Sequence, residues 1–207
     1  MRKVSSFLGV FMVASMFLGG CVSASTSQGM TVKAADIKTA PSPEVAKAVG
    51  VGVVTGGEAT DPMWGVSQID NPAFKRALVR SLYKAGLLSE GANPKYIVTV
   101  ELIALKQPLF GADMKVTSRI RYTITDSATK AVVLNEEVIA PYTATFGDSL
   151  IGVQRLRLAN EGSARKSIAM LIEKLNAAGN RTSKPALPPS SPSTPSTPLL
   201  MTATHTL

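Results

Sequence analysis

Residues 113–125, Asp-Met-Lys-Val-Thr-Ser-Arg-Ile-Arg-Tyr-Thr-Ile-Thr, show the strictest alternation of apolar and polar side chains in this chain. Successive side chains of a β-strand point to opposite faces of a sheet, so the alternation predicts a strand with one buried and one open face. The buried set is Met114, Val116, Ser118, Ile120, Tyr122 and Ile124, and the open set is Lys115, Thr117, Arg119, Arg121 and Thr123.

The segments around this strand predict one domain over residues 47–179. In chain order the expected elements are a strand at 49–55, a helix from Asn71 to Gly86, strands at 96–106, 113–125 and 131–139, and a helix within 155–178. Both helices carry a single apolar stripe. The order β-α-β-β-β-α predicts an α+β fold, in which a four-stranded, largely antiparallel sheet has two helices on one face.

Several details of these elements are expectations that a structure can test. Asn71 suits the N-cap of the first helix, with Pro72 at its first turn. Gly179 is a candidate C-cap of the last helix. The fourth strand has room to continue past Pro141, as far as Phe146. The second strand predicts apolar patches on the open face, at Ile97, Ile103 and Leu105.

The N-terminus has the features of an export signal. Arg2 and Lys3 precede an apolar run, residues 7–18, which is too short to cross a bilayer. Residues 1–20 are therefore predicted to be a signal peptide. Leu18-Gly19-Gly20-Cys21 resembles a bacterial lipobox, in which Cys21 receives a diacylglyceryl group and an N-acyl chain. Cleavage after Ala24 is the alternative, since small residues also precede that bond.

The flanks of the domain differ from it in composition. Residues 21–46 are rich in Ser, Thr and Ala without apolar periodicity, which predicts a flexible tether. Residues 180–207 hold six of the 13 prolines, which predicts a disordered tail rich in Pro, Ser and Thr. Position 22, after the lipidated cysteine, is Val and not Asp. By resemblance to lipoproteins of Gram-negative bacteria, this implies sorting to the outer membrane, with the domain facing the periplasm.

Composition excludes several kinds of site. The only His is His205, in the predicted disordered tail, which excludes a Ser-His-Asp triad, a Cys-His dyad and a His-rich metal centre within the fold. The single Cys excludes an intrachain disulfide. We therefore expect no metal and no cofactor, apart from the covalent lipid on Cys21. The formal net charge of the chain is +8, and without Arg2 and Lys3 of the predicted signal peptide it is +6, which mildly favours anionic surfaces. It is too diffuse to indicate nucleic acid.

The lipobox and the order of elements support a resemblance. The spacing Phe74-x3-Leu78-x3-Leu82-x3-Gly86, followed by strands and a closing helix, is similar to the YajG-type family of small outer-membrane lipoproteins. The chain resembles more loosely the lipoproteins that assist lipopolysaccharide export or lipid transport. The likeness covers residues 49–178. It implies a lipoprotein of the outer membrane without an agreed activity.

Two catalytic patterns carry little weight. Ser81-x-x-Lys84 and Ser163-x-x-Lys166 match the acylation motif of penicillin-binding proteins, but the other elements of that active site are missing from the sequence. The neighbours Glu136 and Glu137 point to opposite faces of their strand and cannot act as a carboxylate pair. Glu136 falls on the inward side, where a bulge or a salt bridge would explain it.

Two candidate partner surfaces remain. Trp64, in the loop before the first helix, either plugs the edge of the core or marks a recognition loop. Lys115, Arg119 and Arg121 form a basic stripe that either binds phosphate or an acidic partner, or is paired with Glu101 or Glu137.

The expected function is that of a lipid-anchored binding or assembly protein of the outer membrane, with no catalysis. Its expected partners are the membrane, an envelope protein or an anionic lipid, and not nucleic acid. The alternative is an accessory lipoprotein for lipid or lipopolysaccharide transport. An envelope hydrolase or transferase is the third class.

Overall fold

The structure is a computed structural model, and it describes residues 24–59, 61 and 67–182. Three helices and four strands lie in this part of the chain, together with a short 3-10 turn at Ala34–Asp36. They are α1 (Ser27–Met30), β1 (Val49–Thr55), α2 (Asn71–Lys84), β2 (Tyr96–Lys106), β3 (Met114–Asp126), β4 (Val132–Ala144) and α3 (Gly152–Thr182). None of the helices in the described ranges has the length and apolarity that crossing a membrane requires.

The strands form one sheet in the order β1-β2-β3-β4. β1 runs parallel to β2, because α2 carries the chain back between them, and the other two pairs are antiparallel. The predicted α+β class and the largely antiparallel four-stranded sheet are confirmed. β4 is an edge strand, and it continues through Pro141 to Ala144.

The alternation in β3 is borne out by its burial. All six residues of the predicted inward set are buried, and Tyr122 and Ile120 are fully so. The apolar stripes of α2 and α3 meet these side chains in one hydrophobic core, which also contains Val98 and Val100 of β2. The opposite face of the sheet is left open to solvent.

A β-bulge alters the second strand. The register of β2 against β3 shifts between Leu102 and Ala104, so that Leu105 lies opposite Ser118 and packs on the core side. The expectation that Leu105 belongs to the open face is therefore wrong, because one extra residue reverses the facing of every residue after it. Ile97 stays on the open face, where Gly50 leaves room for its side chain.

The helix ends also differ from expectation. Asp70, and not Asn71, caps α2, because its carboxylate accepts the amide of Ala73 at 2.5 Å. Asn71 instead accepts the amide of Gly57. α3 continues past Gly179 to Thr182, and a Cβ on Gly179 would lie 2.1 Å from Ser42 Oγ. Gly179 thus allows a close contact and does not end the helix.

The largest correction concerns the predicted tether. Its described part, residues 24–46, packs against the domain, and Met30 and Val32 are fully buried in the core. The amide of Ser25 donates to the carbonyl of Gln68 at 3.0 Å. Thr26 donates through both its amide and its hydroxyl to Glu161 of α3. Residues 24–46 are therefore part of the folded unit.

Candidate functional site

The first Ser-x-x-Lys pair holds the N-terminal segment in place. Ser81 Oγ accepts the amide of Val32 at 3.0 Å and donates to the carbonyl of Ala77 at 2.7 Å. Lys84 donates to the carbonyl of Val32 at 3.3 Å. Both side chains thus bind the backbone of Val32 and hold the N-terminal segment against α2.

The second Ser-x-x-Lys pair acts in the same way on β4. Ser163 Oγ donates to the carbonyl of Ala140 at 2.6 Å and accepts the amide of Ser118 at 2.9 Å. The hydroxyl is thus inserted into the ladder between β3 and β4. Lys166 donates to the next carbonyl, that of Pro141, at 3.2 Å. This arrangement fastens α3 to the sheet and leaves Ser163 fully buried.

The two adjacent glutamates lie on opposite faces of β4, as expected. Glu136 forms a salt bridge with Lys174 of α3, which explains a carboxylate on the inward side. Glu137 faces the open side of the sheet and binds Arg119. The carboxylates therefore have separate partners and share no site.

Tyr122 is a titratable group that is fully buried in the core. Burial raises the pKa of Tyr122 well above its usual range, and its hydroxyl lies 2.8 Å from Ser167 Oγ. A neutral, hydrogen-bonded phenol of this kind stabilises a core. Among the described residues, no three His, Cys, Asp or Glu side chains come together as metal ligands would.

The predicted basic stripe is paired with acidic residues of the neighbouring strands. Arg121 binds Glu101 of β2 at 2.7 Å and also reaches Glu137 of β4 at 3.6 Å. Arg119 binds Glu137 at 2.6 Å. We name these four residues the charge ladder. The hydrogen bond from Arg119 holds the pKa of Glu137 below its usual range.

Lys115 lies beyond the charge ladder, toward the start of β3, and is exposed. It faces Thr143 across the β3–β4 pair. The structure therefore brings Arg119 and Arg121 together and leaves Lys115 apart from them. Trp64 and Cys21 lie outside the described residues, so their predicted roles remain predictions.

A surface that the sequence analysis did not predict lies at one end of the sheet. Eleven large apolar side chains are exposed in the described part of the chain, and six of them belong to two loops and the start of α3. We call these six residues the apolar end: Leu109, Phe110, Phe146, Leu150, Ile151 and Val153. Their side chains are between 53% and 86% exposed, and Phe110 is the most exposed of them.

Arg155 joins the two loops of the apolar end. Its buried guanidinium donates to the carbonyl of Ser149 at 2.7 Å and to that of Gly111 at 3.2 Å. It also lies over the ring of Phe146, 5.1 Å from the centroid. Phe146 in turn donates its amide to Asp113 at 3.0 Å. The apolar side chains are thus presented on a fixed frame.

A shallow groove of about 540 Å³ lies between α1 and α2. Its lining combines apolar side chains with two basic ones, Arg80 and Lys84, and the apolar ones include Val79, Tyr83 and Leu88. Tyr83 is exposed there. The groove is open to solvent and combines apolar and basic side chains.

Comparison with solved structures adds information about the fold. The crystal structure of protein XCC0632 from Xanthomonas campestris, of the DUF330 family, superposes with a TM-score of 0.51 at 13% identity, covering 71% of this chain and 95% of that one. The fold resembles that of a DUF330 protein. At this identity the likeness extends to the fold alone.

Two other similar structures superpose less well. A candidate lipoprotein from Caulobacter crescentus CB15 gives a TM-score of 0.43 at 11% identity, covering 66% of this chain and 93% of that one. The PelC dodecamer from Paraburkholderia phytofirmans gives 0.42 at 16% identity, with coverages of 66% and 93%. No family model and no curated protein matches the sequence.

Proposed function

We propose that the protein is a lipid-anchored binding or assembly protein of the bacterial outer membrane, which faces the periplasm and acts without catalysis. The lipobox at residues 18–21 supports the anchor. The resemblance to YajG-type lipoproteins supports the outer membrane as the location. A DUF330-like fold is compatible with both parts of the proposal.

The observation that carries the proposal is the hydrogen bond from Ser25 to Gln68. Only three residues, 22–24, separate Cys21 from this packed position. An acylated Cys21 would therefore hold the domain directly at the membrane surface. A protein held so closely is suited to organising partners at that surface.

The open sheet face is the surface that we propose for an envelope protein partner. Its arginines are already paired within the charge ladder, so a partner would meet a face of nearly balanced charge. Threonines of β3 flank the ladder on both sides, at Thr117 and Thr123. Such a face suits a protein with matching polar groups better than a phosphate-rich ligand.

The anchor can be tested with Cys21→Ser and the conservative control Val22→Ala. Cells are grown with labelled palmitate, and membranes are separated by density. We expect the unchanged protein and Val22→Ala to carry label in the outer-membrane fraction. Cys21→Ser should lose the label and leave that fraction. Unchanged gel mobility and location of Cys21→Ser would refute the anchor.

Partner binding is tested by photocrosslinking in intact cells. A photoreactive residue at Thr123 on the open face should capture an envelope protein, whereas one at Ala128 in the β3–β4 turn should capture little. The same product from both positions would contradict the open face as the binding surface.

The groove between α1 and α2 favours a second candidate, that of an accessory lipoprotein for lipid transport. A phospholipid could place an acyl chain along Val79 and Tyr83 and its headgroup phosphate near Arg80. Tyr83→Glu should then reduce the uptake of a fluorescent phospholipid by the purified protein several-fold. The control, Thr123→Glu on the open face, should leave uptake unchanged. Equal uptake by both variants would remove this candidate.

A further inference from the structure

We propose that the apolar end dips into the headgroup region of the bilayer that holds the lipid anchor, so that the domain sits on the membrane in one fixed orientation. This inference rests on the proposed acylation of Cys21. It assigns a lipid-binding surface to loops that otherwise expose Phe110, Leu150 and their neighbours to water.

The first argument is the reach of the chain. Four residue steps separate Cys21 from Ser25, and an extended chain covers at most about 3.5 Å per residue, so the lipidated residue lies within about 14 Å of Ser25. Ser25 is itself buried and bonded to Gln68. The membrane surface must therefore lie close to this point of the domain.

The second argument is the position of that point along α3. Thr26 binds Glu161, which is nine residues from the start of the helix at Gly152 and 21 residues from its end at Thr182. At 1.5 Å per residue these distances are about 14 Å and about 32 Å. The anchor can thus reach the level of the apolar end, whereas the opposite end of the helix lies beyond its reach.

The third argument is a direct chain of contacts. Gln107, which begins the loop of Leu109 and Phe110, donates to the carbonyl of Ser67 at 2.8 Å and to Asn160 at 2.7 Å. Ser67 is the neighbour of Gln68, which holds Ser25. Ser25, the described residue from which the chain leads back to the lipid attachment point, therefore lies on the same side of the molecule as this loop.

The chemistry of the apolar end fits a phospholipid surface. Its six apolar side chains can enter the boundary between headgroups and acyl chains. Lys106, at the end of β2, and Lys115, at the start of β3, are exposed beside them and can meet the lipid phosphates. The two acidic residues in these loops, Asp113 and Asp148, accept the backbone amides of Phe146 and Thr145.

The test uses the complete lipoprotein with one fluorescent label. The only native cysteine is Cys21, which acylation blocks, so Phe110→Cys adds a unique thiol for a polarity-sensitive dye. The control is Ala128→Cys in the β3–β4 turn, at the opposite end of the sheet. Both proteins are reconstituted into phosphatidylethanolamine–phosphatidylglycerol vesicles that contain nitroxide-labelled lipid.

We expect the lipid quencher to reduce the fluorescence at position 110 at least threefold more than that at position 128. Equal quenching at both positions would overturn the inference. Protection of the dye from water without quenching by lipid would indicate contact between copies, and would overturn it as well. Mass spectrometry of the same samples reports acylation, so an acylated protein without quenching overturns this inference alone. An unacylated Cys21 overturns the proposed anchor.

A second measurement removes the anchor altogether. The mature chain with Cys21→Ser is mixed with the same vesicles and floated on a density gradient. We expect weak binding that falls about tenfold when Phe110→Asp and Leu150→Asp are added. The control, Val132→Asp with Val133→Asp, adds the same charge to two exposed apolar residues at the opposite end of the sheet and should leave binding unchanged. Equal binding by the Phe110→Asp, Leu150→Asp variant and this control would contradict the assignment.

Discussion

The open sheet face and the apolar end are both exposed to solvent, but they present different groups. The open face presents paired charges, and the apolar end presents large apolar side chains. On the open face each ladder arginine binds a glutamate of an adjacent strand. At the apolar end Phe110 and Leu150 project into solvent, whereas the buried polar group beneath them, Arg155, is hydrogen-bonded. The comparison teaches that charged side chains that stand out in a sequence can be paired within the protein, whereas apolar residues in loops can form the surface that is free to contact a partner or a membrane.

This difference has an energetic basis. Exposed ion pairs contribute little to stability, since water already solvates both partners well. Apolar surface gains free energy whenever it is removed from water, at roughly 25 cal/mol per Å². A contiguous group of exposed apolar side chains is therefore the stronger indication of contact with a partner or a membrane.

The largest effect is expected when the N-terminal segment is released from α3. Glu161→Ala removes the acceptor of both Thr26 hydrogen bonds, and we expect a loss of about 2–3 kcal/mol in the free energy of unfolding. Urea titration measures the loss. Glu161→Gln is the control, because its amide oxygen can still accept these bonds. Without these bonds the segment that links Cys21 to the domain would be longer and more flexible. Lipid quenching at position 110 should therefore also weaken in Glu161→Ala. If Glu161→Ala unfolds at the same urea concentration as the unchanged protein, the hydrogen bonds from Thr26 to Glu161 do not stabilise the fold.

A smaller loss is expected at the frame of the apolar end. Arg155→Met keeps the length of the side chain but leaves the carbonyls of Ser149 and Gly111 without their donor, which costs about 1–3 kcal/mol. Amide exchange should accelerate in both loops and stay unchanged in the open sheet face. Arg155→Lys keeps the charge but has fewer hydrogen-bond donors, so its stability and its amide exchange rates should lie between those of the unchanged protein and Arg155→Met. Uniform acceleration throughout the domain would contradict a local role.

The smallest effect is expected on the charge ladder. Reversing Arg119 and Arg121 to Glu places four acidic side chains together, and we expect the melting temperature to fall by a few degrees at low salt. Adding Glu101→Arg and Glu137→Arg restores opposite charges and should restore the melting temperature. A fall that persists at high salt would show that the ladder does more than balance charge.

The pH dependence of the ladder follows from Glu137. Its pKa is lower in the folded protein than in the unfolded chain, so the ion pair stabilises the fold at pH values above the unfolded pKa. That stabilisation disappears as the pH falls through the folded pKa. Glu137→Gln should therefore be less stable than the unchanged protein at pH 7 and approach it under acidic conditions. A constant difference across this range would contradict the assignment.

The sequence was sufficient for the sheet and its facing residues, because strict alternation in β3 reports burial directly. It was insufficient wherever one residue changes a register, as the bulge before Ala104 shows for Leu105. The N-terminal segment was missed because Met30 and Val32 are too few to form a periodic stripe. Their burial depends on Ser81 and Glu161, which are distant in sequence.

The candidate functional surfaces also include one that the sequence predicts, the basic stripe, and one that it does not, the apolar end. Both outcomes for the basic stripe were foreseen, and only the register of β2 and β4 could decide between them. The apolar end left a signal in the adjacent pairs Leu109-Phe110 and Leu150-Ile151, which lie outside the apolar stripes. Nothing local indicates that these two loops meet, since Arg155 joins them through tertiary contacts.

Pro141, three residues before the end of β4, affects how copies of the protein can coexist. Edge strands invite another strand to pair, and confinement to a membrane plane raises the local concentration of neighbours. Proline has no amide hydrogen to offer such a strand, and its carbonyl already accepts a hydrogen bond from Lys166. The outer edge of the sheet is thereby interrupted at Pro141, which would protect molecules crowded on a membrane surface against edge-to-edge aggregation.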